Sequence, residues 1–402
     1  MGQTVWSKTY GGSADNEFWS VRQTYDGGYI ATGQTTGSQS NFYDTYLVKT
    51  DSNGDTVWTK HYTPPPLNYY GYGRDVIQTQ DSGYAILTNV NDTDTLGAII
   101  LIKTKSNGDT LWTKKYRTLS GNGGNSLKET SDGGYIICGF SILSSNPLFY
   151  ETYLIKANSS GDTLWTKTIS TTNFNEEAAS IEQTFDGGFF ITGSVNYGTG
   201  NNVSDVLIIK TNSSGDTIFS KIIGGPLSDG GIGCQQTSDG GYIVSGATTS
   251  FGAGGGDLYL LRFTINGDTL WTKTFGTGLG ENGKWVIQTS DGGFAATGYS
   301  GYDAYLVKTD SNGIVMTGIN EIAENEMQLK IYPNPFFSYA NVEMEKEGAD
   351  PGYMAIYDAI GQEVKRINVE NSSLVIHRDG LYFLNVYNSL GQIIARSKII
   401  IQ

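Results

Sequence analysis

Histidine and cysteine are almost missing from this chain. The two histidines, His61 and His377, lie in distant parts of the sequence. They leave no basis for a histidine-rich metal site or a Ser-His-Asp triad. The two cysteines, Cys138 and Cys234, fall inside apolar stretches more than ninety residues apart, so buried free thiols are expected rather than a disulfide. No apolar run reaches the roughly 18 residues of a membrane-crossing helix. No segment keeps a 3.6-residue period, which excludes a helical solenoid. Basic charge is scarce: 26 Lys and Arg face 40 Asp and Glu, for a net charge of −14. That balance argues against nucleic acid and against anionic membrane surfaces as partners. No leader with a basic start and an apolar middle is visible. Met1 runs directly into Gly2-Gln3-Thr4-Val5-Trp6, which reads as the tail of a repeat and suggests a piece of a larger exported precursor.

What the chain does have is glycine (54), tyrosine (26) and repetition. An Asp-Gly-Gly turn begins at Asp26, Asp132, Asp186, Asp239 and Asp291, and at Asp81 with Ser82 in place of the first Gly. Trp6, Trp58, Trp112, Trp165, Phe219 and Trp271 keep the same beat of slightly more than fifty residues. Such a period means one supersecondary unit used six times. Each unit reads as four short strands: Val21-Arg22-Gln23-Thr24 before the turn, Tyr29 to Gly33 after it, Thr45 to Lys49, and Thr56 to Lys60. Ser-Asn-Gly between the last two is hairpin chemistry. Four strands per unit predict an all-β, six-bladed β-propeller over residues 1–314. The chain opens with a lone fourth strand and the sixth unit stops after its third. The N-terminal strand is therefore expected to complete the last blade and hide its open edge. Gly313-Ile314-Val315-Met316 competes for that slot.

Several positions repeat. Gln23, Gln78, Glu129, Gln183, Gln236 and Gln288 stand three residues before each turn Asp, each followed by Thr. A hydrogen-bond belt between blades is expected there. The aromatic series is expected to fill the gap between blades at the rim. Asp51, Asn53 and Asp55 alternate as in a calcium loop, but the glycine such a loop needs is missing and the other copies lose the first carboxylate; a hairpin turn is expected, and no metal. Ten residues before the turn stand Asn16, Asn122, Glu176, Asp229 and Glu281 in five units and Gly71 in the second, with Glu17 and Glu177 next to two of the polar five. These acceptors either bind a cation or sugar hydroxyls at one mouth of the channel, or close their own loops. Loops of the same face carry aromatics, including Trp19, Tyr70, Tyr72 and Trp285, and Arg74 breaks the repeat. Residues 64–74 are the least like their siblings. Trp19, Tyr70, Tyr72, Arg74, Glu176, Asp229, Glu281 and Trp285 are the candidate ligand-binding residues.

The Leu-x-Lys-Thr-Asp-x-x-Gly-Asp-x-x-Trp hairpin resembles quinoprotein-type propeller repeats. It is also similar to the sialidase Asp-box, but lacks that motif's third-position Asp and has Trp58 one residue late. The resemblance implies strand order, with the Asp-Gly-Gly strand innermost, and carries over neither cofactor nor activity. After a linker at 315–326 the pattern changes to short strands over 327–402, predicting a small Ig-like β-sandwich. Tyr332-Pro333-Asn334-Pro335, Ile356-Tyr357-Asp358-x-x-Gly361-x-x-Val364, Gly380-x-Tyr382, Gly391 and Lys398-Ile399-Ile400 resemble the type A sorting domain of the Bacteroidetes type IX secretion system. The resemblance implies a translocon and a sortase as partners, and export through the outer membrane. Removal of the tag and attachment to lipopolysaccharide, or release, would follow.

Together these features predict a secreted or cell-surface, monomeric binding or adhesion scaffold for a glycan or a protein, without a cofactor. A structural module of a larger surface protein is one alternative. An extracellular polysaccharide hydrolase or lyase is the other, and it needs a carboxylate pair at defined spacing. No complete catalytic constellation is visible, so no enzymatic activity is expected.

Overall fold

A computed structural model describes residues 6–12, 15–36, 43–63, 70–92, 95–145, 148–198, 203–278, 280–315, 328–332, 334, 339–345, 351–358, 362–368, 373–375, 380–389 and 393–401. The chain divides into two compact units, Met1–Val315 and Met316–Gln402. Among the described residues all regular structure is strand.

In the first unit, β1 (Asn16–Gln23), β2 (Tyr29–Thr36), β3 (Tyr43–Thr50) and β4 (Thr56–Tyr62) form an antiparallel sheet in sequence order. The same arrangement recurs over 70–116, 122–169, 175–223 and 229–275. These repeated sheets are of the β-propeller type. A sixth sheet over 281–309 has three strands among the described residues, with Val315 making a single bridge to Thr309.

The Asp-Gly-Gly turns explain themselves locally. Asp26 Oδ1 accepts from Thr24 Oγ1 and from Gly28 N, while Gly27 sits at φ 80°. At the second turn Ser82 takes that place at φ 65°, the one non-glycine residue with positive φ among those described. The cation that ends the third strand folds back on the turn. Lys49–Asp26, Lys103–Asp81, Lys156–Asp132, Lys210–Asp186, Arg262–Asp239 and Lys308–Asp291 pair at 2.6–2.9 Å.

Three devices join each sheet to the next. Apolar clusters straddle every consecutive pair. The N–H just before each turn Asp donates to the belt residue of the following sheet: Tyr25 to Gln78, Gln80 to Glu129, Ser131 to Gln183, Phe185 to Gln236 and Ser238 to Gln288. Each rim aromatic lies on the hairpin glycine of the next sheet, as Trp58 does on Gly108, and Lys60 of that strand pairs with Asp109. The apolar clusters dominate the energetics. Burying one Leu is worth about 1.5–3 kcal/mol, against about 0–1 for an exposed ion pair.

The expected pairing of the N-terminal strand with the sixth sheet is not seen among the described residues. Residues 6–10 nevertheless make fourth-strand contacts on the first sheet. Trp6 lies on Gly54 and edge-on to Tyr29, Lys8 pairs with Asp55, and Tyr10 Oη donates to Gly54 O. Leu306 is 68% exposed, whereas Leu47, Leu101, Leu154, Ile208 and Leu260 at the same position are fully buried. Val21, on the first sheet, is 57% exposed where its counterparts are covered.

The second unit has a three-stranded sheet (Gln328–Tyr332, Tyr339–Glu345, Ser373–Val375) and a four-stranded one (Pro351–Asp358, Glu363–Asn368, Gly380–Asn388, Ile393–Ile401). Both contribute to one core through Ala340, Val342, Met354, Ile356, Leu384, Val386 and Ile399.

Candidate functional site

Every first strand of the repeats carries an irregularity near its middle. The ladder skips from Phe18 to Ser20 in β1 and from Gly73 to Asp75 in the second sheet. The skipped residues are Trp19 and Arg74. A bulge re-aims its extra side chain, and both side chains emerge exposed. Arg74 lays its guanidinium 4.9 Å from the Trp19 ring centroid.

Tyr70 and Tyr72 stand two apart on one strand and therefore share a face. Their rings are parallel within 3°, with centroids 6.1 Å apart. Tyr43, at the start of β3, is 5.8 Å from Tyr70 and 6.0 Å from Tyr72, and Trp19 is 5.9 Å from Tyr72. Burial, with the neighbouring Tyr70 and Tyr43 phenols, pushes the Tyr72 hydroxyl upward in pKa. It stays protonated at neutral pH and presents both a donor and an acceptor. Four aromatic rings and one guanidinium thus meet where the first two sheets adjoin. Such a cluster joins half-buried aromatic rings to phenol hydroxyls that can donate and accept hydrogen bonds.

The acidic candidates do not join this cluster. Glu176 is fully buried and accepts from the backbone N–H and the hydroxyl of both Thr171 and Thr172. Asp229 accepts from Gly225 N and Ser250 Oγ. Glu281 accepts from Thr277 N, Thr277 Oγ1 and Ser300 Oγ, and the Ser300 and Thr277 bonds hold its carboxyl low in pKa. Each carboxylate closes its own loop. Trp285 lies elsewhere, on the first strand of the sixth sheet, Glu281–Gln288. Arg22 of the first sheet is 5.1 Å from its centroid and Lys128 of the third is 5.3 Å away. Asp75 holds Arg22 and Glu182 holds Lys128. The Asp51 carboxylate accepts from Asn53 N and Asp55 N, as a hairpin turn requires.

Sequence reasoning missed Tyr43. The signal was a tyrosine six residues before the strand-ending cation, a position that Tyr150 and Tyr302 also fill. Residues 64–69 of the divergent loop lie outside the described residues, as do Pro333, Pro335, Gly361 and Gly391 of the C-terminal signature. Of that signature, Asn334 clips the final strand: its Nδ2 donates to Lys398 O and its Oδ1 accepts from Ile400 N. Tyr382 is buried in the core, Lys398 and Tyr332 are exposed, and Gly380 has φ 151°.

Residues 330–402 match the family described as the secretion system C-terminal sorting domain. The chain ends in a type IX sorting domain. That domain marks it as a substrate of the secretion system, bound for the cell surface or the extracellular space. No curated protein matches the chain. Among solved structures, it is similar to PorZ of Porphyromonas gingivalis, described as a surface component of the type IX secretion system. The identity is 10% and the TM-score 0.49, over 99% of this chain and 61% of that one. A protein of unknown function from Dyadobacter fermentans is 11% identical with a TM-score of 0.48, over 73% of this chain and 94% of that one. A puromycin hydrolase reaches a TM-score of 0.50 at 10% identity, over 92% of this chain and 59% of that one. At these identities the likeness is one of fold alone. No helix among the described residues is long and apolar enough to cross a membrane.

Proposed function

We propose that this protein is a secreted or surface-attached binding scaffold whose six-bladed ring presents an aromatic platform to a glycan. The observation that carries the reading is the convergence of Tyr43, Tyr70, Tyr72, Trp19 and Arg74 on one surface. Stacked tyrosines supply sugar-ring contacts, and Trp19 with Arg74 borders them. The scaffold is non-catalytic in this reading, since Glu176 and Glu281 are committed to their own loops.

Ring closure belongs to the same proposal. Residues 6–10 touch the first sheet as every fourth strand touches the sheet after it. They therefore act as the fourth strand of the sixth blade, and closure would cover Leu306 and Val21. The sorting domain, an Ig-like sandwich in this reading, brings the translocon and a sortase as partners during export.

Affinity electrophoresis of the full chain through gels containing neutral and acidic polysaccharides tests the reading. Retardation by at least one polymer, relieved in Trp19→Ala, is expected. Unchanged mobility in every polymer sinks it.

A further inference from the structure

The third repeat carries an aromatic ring eight residues after its turn Asp. Phe140 stands where the other copies have Gln34, Thr-neighbouring Asn89, Ser194, Ala247 and Tyr299. Its ring lies over bare backbone at Gly123, where a Cβ would come within 2.7 Å of the ring carbons. Tyr150 packs beside it at 5.7 Å between centroids. With Ile142 and with Glu177, which comes from the next sheet, they line a cavity of about 170 Å³.

Among the described residues, Glu177 is the one charged group on this lining. Its recorded hydrogen-bond partner among the described residues is the Asn125 amide, at 2.8 Å, and no Lys or Arg pairs with it there. The adjacent Glu176 turns to its own loop. Burial and the Glu177 charge both raise the Tyr150 phenol, which stays neutral. A half-buried carboxylate beside two aromatic rings is short of a counter-cation. Aromatic faces and a carboxylate together select an organic cation over a neutral group of the same shape. The cavity is well below the roughly 300 Å³ at which drug-sized pockets begin, so it admits a head group rather than a sugar chain.

We infer that the cavity formed by Phe140, Ile142, Tyr150 and Glu177 is a binding site for an alkylammonium group. It is separate from the tyrosine platform and does not depend on it. The test is calorimetric titration of the full chain with choline, with glucosamine, and with 3,3-dimethylbutan-1-ol, the neutral isostere of choline. Saturable binding of at least one cation is expected, weakened on the order of tenfold in Glu177→Gln. The alcohol should bind both proteins alike and more weakly. Preference for choline or for glucosamine tells a quaternary head group from a protonated amino sugar. Tyr72→Ala should leave cation binding unchanged, which separates failure here from failure of the platform. Phe140→Leu reads the same site if Glu177→Gln does not fold. Equal affinity for choline and its isostere, no saturable cation binding, or a well-folded Glu177→Gln with unaltered affinity each overturns the inference.

Discussion

The Lys210 ammonium lies 2.9 Å from Asp186 Oδ2, with its own side chain 4% exposed and that of its partner 59% exposed. The buried member of this pair is the cation. Removing the carboxylate strands a charge whose remaining acceptor among the described residues is Thr211 O. Asp186→Ala should cost about 2–3 kcal/mol. Lys210→Met combined with Asp186→Ala should cost less than Asp186→Ala alone, because no charge is then left inside. Urea denaturation of the three variants checks this, and a double variant weaker than the single one contradicts it.

The same turns set the acid limit. Hydrogen bonds from Thr24 and then Lys49 bring the Asp26 carboxyl down to about 2. At Asp132 and Asp186 burial pushes upward, but the Thr hydroxyl, the Lys and the glycine N–H outweigh it, and both also lie at about 2. A folded-state pKa below the unfolded value of about 3.9 means that the unfolded chain binds more protons in between. The stability from these groups is present above about pH 4 and is lost as the pH falls toward 2. Melting temperature should be nearly level from pH 7 to 5 and drop between pH 4 and 2, with a shallower drop in Asp186→Asn. Differential scanning calorimetry reads both.

Ser82 bears the backbone strain that glycine avoids in the other five turns. Ser82→Gly should raise stability by about 0.5–1 kcal/mol. A neutral or destabilising result in chemical denaturation would mean that the Ser82 side chain contributes a compensating contact.

Trp6 makes on Gly54 the contact that Trp58 makes on Gly108. If residues 6–10 close the ring, Trp6→Ala should lower the melting temperature about as much as Trp58→Ala. It should also increase the radius of gyration in small-angle scattering. A silent Trp6→Ala contradicts closure by this segment.

Much of this architecture was legible because it is local and repeated. The turn glycines, the strand spacing and the Gln belt follow from residues repeated at fixed positions, with Ser82 and Glu129 as the departures. The sorting domain was legible from Tyr332, Asn334 and Tyr382, in a module that does not repeat. The Lys–Asp pairs were not read, although both partners were seen, because twenty-odd residues of β2 and β3 separate Lys49 from Asp26. Glu176, Asp229 and Glu281 looked like a ring of acceptors, since sequence spacing cannot show which way a loop carboxylate turns. Trp285 looked like a loop aromatic, yet it is paired with Thr297 on the first strand of its sheet, with Arg22 and Lys128 against its ring. Trp19, Tyr70, Tyr72 and Arg74 were legible as candidates of one loop face, but not as touching neighbours. Their meeting, and the part played by Tyr43, depends on the bulges at Trp19 and Arg74, which only the strand register reveals.

A glycan platform built on Tyr70 and Tyr72 stands or falls on the affinity of the Tyr70→Ala/Tyr72→Ala protein for the best-retained polysaccharide. Phe174→Ala, which removes a 37%-exposed aromatic from a different loop, is the control. Roughly a tenfold or greater loss is expected in the double variant, with wild-type melting, and no change in the control. Equal affinity of the double variant and the wild type, or an equal loss in Phe174→Ala, would contradict it.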